Sequence, residues 1–149
     1  MKNKSKYTAA AAQLGPIDPG DTKESVVARM LNLLIEAKTK ETALVVFPEL
    51  CLTTFFPRYY ITDPANLDTY YESEVPISLM SDMFELVRKE KIIISFGYAE
   101  KDNGIPFNTS VYVGSSGNLI GKYRKIHLPG HYEYEPERPF QHLEKRYFT

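Results

Sequence analysis

Glu49 is the residue whose position first suggests chemistry. It follows Ala43-Leu44-Val45-Val46-Phe47, a short continuous apolar run that reads as a strand buried on both faces. Pro48 ends that run, because proline cannot donate to a central ladder. A carboxylate at the C-terminal edge of such a strand is partly desolvated. Burial raises its pKa and makes it a usable general base, whereas a helix cap or a loop salt bridge is the ordinary alternative. Lys125 is the second candidate. In Lys122-Tyr123-Arg124-Lys125-Ile126-His127-Leu128, strand alternation sets Tyr123, Lys125 and His127 on one face. Lys122, Arg124, Ile126 and Leu128 take the other. A lysine in a desolvated pocket stabilises a developing oxyanion. Taken alone, the same segment reads as a solvated basic edge that discourages edge pairing.

The three histidines, His127, His131 and His142, cluster near the end of the sequence. Their spacing matches no zinc motif, and histidines lining a pocket with carboxylates are the better reading. Cys51 lies two residues after Glu49, so an extended chain would point both the same way, as for a nucleophile beside its base. A small, apolar, buried cysteine is the favoured reading. Gly114-Ser115-Ser116-Gly117 lacks the Gly-Lys-Ser/Thr ending of a phosphate loop and opens no helix, so it is a turn.

The elements that must position these groups follow from pattern. Tyr7–Leu14 is a first strand, stopped by Gly15, Pro16, Pro19 and Gly20. A helix follows, capped by Asp21 or Thr22, with Glu24 placed as in a capping box. Val26, Val27, Met30, Leu31, Leu34 and Ala37 form its apolar stripe. Cys51 to Val75 is a long aromatic connection, expected to be functional or to contain short helices. A second helix is expected from Pro76 to about Lys89, with Met80, Met83, Phe84 and Val87 on its apolar face. Ile92–Tyr98 is a buried strand, Phe107–Val113 another, Ser116-Gly117 a hairpin turn, and Leu119–Leu128 a last strand. The order implies an α/β layered fold. Neither helix ends in glycine.

Composition sets the outer bounds. The chain has 149 residues, which suits one domain, and 43% hydrophobic with 25% charged residues is an ordinary folded composition. A net charge of −1 gives no electrostatic reason to expect nucleic acid or an anionic membrane. No apolar stretch approaches a membrane span. Met1 to Lys6 carries three lysines, but the segment after it is too short and too weakly apolar for a signal peptide. One cysteine excludes an internal disulfide framework and fits a reducing compartment, so a cytoplasmic location is expected.

Val46-Phe47-Pro48-Glu49-Leu50 resembles the segment carrying the catalytic glutamate of the nitrilase (carbon–nitrogen hydrolase) superfamily. Gly121–Leu128 resembles the segment carrying its catalytic lysine. Thr53-Thr54-Phe55-Phe56-Pro57-Arg58, Phe107-Asn108-Thr109-Ser110, Leu128-Pro129-Gly130-His131 and the stretch from Arg138 to Phe148 resemble N-carbamoyl-D-amino acid hydrolases in particular. The resemblance implies the N-terminal part of a four-layer α-β-β-α sandwich, assembled as homodimers or homotetramers. It implies a cysteine thiolate that attacks the carbamoyl carbon. Glu49 would be the base, Lys125 the oxyanion stabiliser and Glu144 a second, positioning glutamate. His127, His142 and Asn108 would support the site or bind substrate. Products would be a D-amino acid, ammonia and carbon dioxide, with no metal or organic cofactor.

In that pattern the nucleophilic cysteine lies beyond Thr149, as does the arginine expected to bind the substrate carboxylate. Residues 1–149 are therefore expected to be a hydrolase domain truncated before its nucleophile. Such a chain would be inactive alone and prone to aggregate through an uncovered apolar sheet face. Relatives carry glycine where each helix meets the next strand; here Glu41 and Lys91 stand near those points, each missing cap costing about 1 kcal/mol. Two alternatives stand beside this reading. One is a non-enzymatic remnant that associates with an intact homologue. The other is a different amidase of the superfamily, such as a β-ureidopropionase-like enzyme, against which the Thr53–Arg58 loop argues.

Overall fold

The structure, a computed structural model, describes residues 6–149. The lysine-bearing start read against a signal peptide lies outside these residues, apart from Lys6. Strands β1 (Thr8–Ala11), β2 (Thr42–Val46), β3 (Ile93–Asp102), β4 (Ile105–Val113) and β5 (Leu119–Arg124) form one sheet in the order β1-β2-β3-β4-β5. The first three are parallel, and the last two pair antiparallel. Helix α1 (Lys23–Thr39) joins β1 to β2, and α3 (Ser81–Glu90) lies between β2 and β3. Two right-handed crossovers stepping the same way along the sheet put both helices on one face. There they pack together over Val45, Ile94, Phe96, Val111 and Val113. Met30 and Leu34 of α1 are fully buried in this core, each worth roughly 1.5–3 kcal/mol of burial. No helix among the described residues is long and apolar enough to cross a membrane.

Of the two proposed caps of α1, Thr22 serves. Its Oγ1 accepts from the Ser25 amide at 3.2 Å. Asp21 instead closes the preceding loop, accepting from the Asp18 amide and from Arg29. The long aromatic connection does contain short helices, a 3-10 turn at Phe56–Arg58 and α2 (Pro64–Asp68), the latter capped by Asp63.

Four expectations are corrected. Strand β2 is not buried on both faces: Val45 is fully buried, but Val46 is 43% exposed, because among the described residues helices cover one face only. The second helix does not begin at Pro76. Ile77 is still extended, with ψ 157°, and a 3-10 turn at Ser78–Met80 precedes Ser81. In that extended stretch Val75 and Ile77 pack against the core. Strands β3 and β4 run past Tyr98 and start before Phe107, closing on a two-residue turn at Asn103-Gly104. Both turn residues have positive φ, 50° and 82°, as a type I′ hairpin needs. Strand β5 stops at Arg124 rather than Leu128, although the Lys125 amide still donates to the Asn108 carbonyl at 2.8 Å.

The polar end of the β3–β4 hairpin stays in the sheet because Glu100, 1% exposed, is neutralised there. It accepts from Lys122, from Arg124 Nε at 2.8 Å and from Thr109 Oγ1 at 2.7 Å. Burial pushes its carboxyl up, but the bonds from Arg124, Lys122 and Thr109 outweigh it and hold the carboxyl down at about 2. Both helix ends meet left-handed residues, Glu41 at φ 53° and Lys91 at φ 58°, where the sequence lacks glycine.

Candidate functional site

The approach to Glu49 is made at Gly97. Its amide donates to the Pro48 carbonyl at 3.1 Å, and its carbonyl accepts from the Cys51 amide at 2.9 Å. A Cβ on Gly97 would stand 2.8 Å from both Glu49 Cα and Leu50 N, so residues 48–51 lie directly on β3. Sequence reading passed over Gly97; the available signal was a glycine inside an apolar strand, which marks a close backbone approach.

At Leu50 the backbone turns left-handed, φ 47°. That turn separates Glu49 from Cys51, which an extended chain would have aligned. Cys51 drops into the helix-side core, 1% exposed. Burial pushes its thiol up to about 12. Glu49 faces a hollow of about 370 Å³ on the opposite face of the sheet, shared with Asn108, Tyr112, Tyr123 and Lys125. The expected desolvation of Glu49 is not found: its side chain is 48% exposed.

Lys125 ties the site together. Its Nζ donates to Glu49 Oε1 at 2.7 Å and to Glu144 Oε2 at 2.8 Å. Partial burial pulls the ammonium's pKa down, but the bonds to Glu144 and Glu49 outweigh it and hold the group above the usual lysine range. Asn108 Nδ2 reaches the same two carboxylates, Glu49 Oε1 at 2.6 Å and Glu144 Oε2 at 3.3 Å. Glu144 is 1% exposed and sits behind the lysine at the start of the short helix α4 (Glu144–Tyr147). Its other oxygen meets His142 Nε2 at 3.0 Å. The His142 ring packs edge-on against Phe55, centroids 5.6 Å apart. Two carboxylates thus hold one ammonium. Glu49 accepts the bonds from Lys125 and Asn108 both on Oε1.

Several aromatic contacts carry α4 to this place. Phe56, fully buried, packs against Tyr70, Tyr71, Tyr147 and Phe148. The Leu143 amide donates to the Pro57 carbonyl, and Tyr147 Oη donates to the Tyr59 carbonyl, both at 2.8 Å. The Thr53–Arg58 loop and the C-terminal stretch are therefore two halves of one small cluster beneath the site.

Of the sequence-selected residues, the structure brings together Glu49, Lys125, Glu144, Asn108 and His142. It does not bring in His127. Alternation placed His127 beside Lys125, but β5 has ended by then, and His127 is exposed in a separate hollow with Ile126, Leu128 and Tyr132. Tyr123 and Lys125 do share a face, and Lys122 and Arg124 lie on the other, committed to Glu100. Among the described residues no three His, Cys, Asp or Glu side chains are grouped to hold a metal ion. Gly114–Gly117 is the expected turn, with the Gly117 amide donating to the Gly114 carbonyl at 2.8 Å.

Comparison with known proteins bears on the family and the fold. The carbon-nitrogen hydrolase family profile matches residues 8–149. A nitrilase of Pyrococcus abyssi is 39% identical over 99 residues, 65% of this chain and 35% of that protein. An omega-amidase of Homo sapiens is 28% identical over 107 residues, 71% of this chain and 36% of its own length. The chain spans about a third of the length of these curated relatives. Among solved structures, a carbon-nitrogen hydrolase from Helicobacter pylori superposes with TM-score 0.72 at 25% identity, covering 96% of this chain and 44% of that one. An amidase from Nesterenkonia sp. superposes with TM-score 0.62 at 17% identity, over 95% of this chain and 46% of its own, a likeness of fold alone. The fold is the nitrilase-like α/β fold, seen here as its N-terminal portion.

Proposed function

The chain belongs to the carbon-nitrogen hydrolase family, and on that premise we propose that it supplies the base and the oxyanion-stabilising cation of an amidohydrolase acting on N-carbamoyl-D-amino acids. The observation that supports the base and cation roles is Lys125 Nζ held between Glu49 Oε1 at 2.7 Å and Glu144 Oε2 at 2.8 Å at the edge of an open hollow, while the carbamoyl substrate rests on the sequence resemblance. Glu49, half exposed there, takes the proton of an attacking thiol and later of the hydrolytic water. Lys125, kept charged by its two carboxylates, stabilises the oxyanion of the tetrahedral intermediate. Glu144, dry and bonded on both oxygens, sets the position of the lysine. Asn108 spans the two carboxylates and holds their spacing.

Cys51 is not that thiol, because its side chain points into the core and stays protonated. On this reading the nucleophile is supplied from outside these 149 residues. Family-like homodimers or homotetramers are proposed for the complete protein, as is a small-molecule substrate.

The relatives named as a nitrilase and an omega-amidase favour a second reading, hydrolysis of a nitrile or an ω-amide by the same three residues. Ammonia release separates the two. It is measured on an N-carbamoyl-D-amino acid, an ω-amide and a nitrile, with the chain alone and with the chain extended by the remainder of an intact homologue. Turnover of the carbamoyl substrate by the extended protein alone, lost in Lys125→Met, supports the first reading. Turnover of only the amide or nitrile supports the second, and turnover by the chain alone refutes the assignment of the nucleophile.

A further inference from the structure

We propose that His131 is a positioning residue for the carboxylate–lysine cluster, acting through His142 to keep Glu144 against Lys125. The inference rests on the reading above only in treating that cluster as the working site. His131 was singled out in the sequence only as one of three clustered histidines, and it touches none of the three charged groups. Its place is one step further back.

After β5 the chain turns at Gly130, φ 83°, and runs beside the segment that carries His142. A Cβ on Gly130 would fall 1.9 Å from the His142 carbonyl oxygen, so only glycine lets the two backbones approach this closely. His131 then clasps His142 twice. Its amide donates to the His142 carbonyl at 3.0 Å, and the His142 amide donates to His131 Nε2 at 3.1 Å. An amide can donate only to a ring nitrogen that carries no proton. Nε2 is therefore bare, and the ring proton sits on Nδ1, which donates to the Glu133 carbonyl at 2.6 Å. The charged groups around the ring are Glu135, 3.3 Å from Nδ1, and Arg138, which is bonded to Glu135. Gln141 pins the same loop by accepting from the Glu135 amide at 3.0 Å and donating to its carbonyl at 2.8 Å.

The consequence runs through one residue. With its backbone clasped at both polar atoms, His142 presents Nε2 to Glu144 Oε1, and the carboxylate is left one orientation, with Oε2 toward Lys125 and Asn108. Without the clasp, His142 is held by the Phe55 ring edge, the Glu144 oxygen and its neighbour Leu143, whose amide is bonded to the Pro57 carbonyl. A buried carboxylate that loses one of its fixed partners reorients, and the lysine on its other oxygen registers the change.

The test uses the full chain with His131→Leu and His131→Gln, the glutamine amide oxygen replacing Nε2 as acceptor. The titration of Lys125 Nζ is followed by NMR at its Cε resonance. In His131→Leu the midpoint is expected to fall by about one pH unit, the size of one weakened charge-assisted hydrogen bond. In His131→Gln it returns to the wild-type value. A Leu variant with a folded amide spectrum and an unchanged Lys125 midpoint overturns the proposal, because a merely structural histidine would change stability and leave the lysine alone. If the Leu variant does not fold, the nitrogen spectrum of the wild-type imidazoles decides. A bare His131 Nε2 at neutral pH, coupled to the His142 amide, supports the clasp, and a protonated Nε2 overturns it. Neither readout needs turnover, so failure here is distinct from failure of the proposed hydrolysis.

Discussion

Replacing Glu41 or Lys91 by glycine should stabilise this chain although neither substitution adds a contact. Both residues follow a helix and hold left-handed backbone, φ 53° and 58°. An L-residue there costs roughly 1–2 kcal/mol through the clash of its Cβ with the backbone. Glycine removes that cost but is freer in the unfolded chain, which gives back about 0.5–1 kcal/mol. The expected net gain is about 0.5–1 kcal/mol per site, or about 2–4 °C per kcal/mol in Tm for a chain of this size. The alanine variants are the controls, since alanine removes the side chain yet keeps the strained Cβ. Urea titrations of the four single variants should show Gly above Ala at each site, with the midpoint shifted and the slope unchanged. The two sites line one surface hollow, where Lys38 and Glu90 pair at 2.7 Å, so the double variant need not be additive. Glycine variants no more stable than their alanine counterparts would refute the strain argument at those positions.

Gly97→Ala should cost about 1–3 kcal/mol in a urea titration, because the new methyl meets the Glu49–Leu50 backbone at 2.8 Å, and an unchanged midpoint would contradict that close approach. The Cys51 thiol should react with an aromatic disulfide reagent only as the chain unfolds, rapidly in urea and slowly in native buffer at pH 8; prompt native labelling would mean that the thiol is neither buried nor protonated. Glu100 is held at about 2 against an ordinary 4.5, so its contribution is fully present above pH 4.5 and is lost as the pH falls toward 2. Glu100→Gln should flatten the acid limb of stability against pH in that window, and an equally steep limb in the variant would exclude Glu100 as its source.

Much of the framework was legible because it depends on neighbours in the chain. The apolar stripe of α1 recurs at three and four residues, and Val26, Val27, Met30, Leu34 and Ala37 are the residues buried. Alternation in β5 placed Tyr123 with Lys125 and both basic neighbours opposite, where they meet Glu100. The family resemblance marked Glu41 and Lys91 as standing near glycine positions of relatives, and the structure finds left-handed backbone at both. The Asn103-Gly104 hairpin was equally local and was missed because Glu100-Lys101-Asp102 reads as the end of a strand. A charged run belongs inside a sheet only when distant residues neutralise it, as Lys122 and Arg124 do.

Position along the chain nominated Glu49 and Lys125 and clustering nominated His142, while Glu144 and Asn108 came only from the family resemblance; none of these gave their meeting. Glu49 Oε1 and Lys125 Nζ are 76 residues apart in sequence and 2.7 Å apart in space. Their contact depends on the Gly97 crossing, the left-handed turn at Leu50 and the aromatic cluster that seats α4. The same packing left His127 outside, although alternation gave it a place beside Lys125, whereas Cys51 lies in the core, as its favoured reading as a small buried residue expected. Periodicity constrains which face of its own element a side chain takes. Which elements then meet depends on burial and hydrogen bonding between segments far apart in the chain, and spacing along one segment does not encode that.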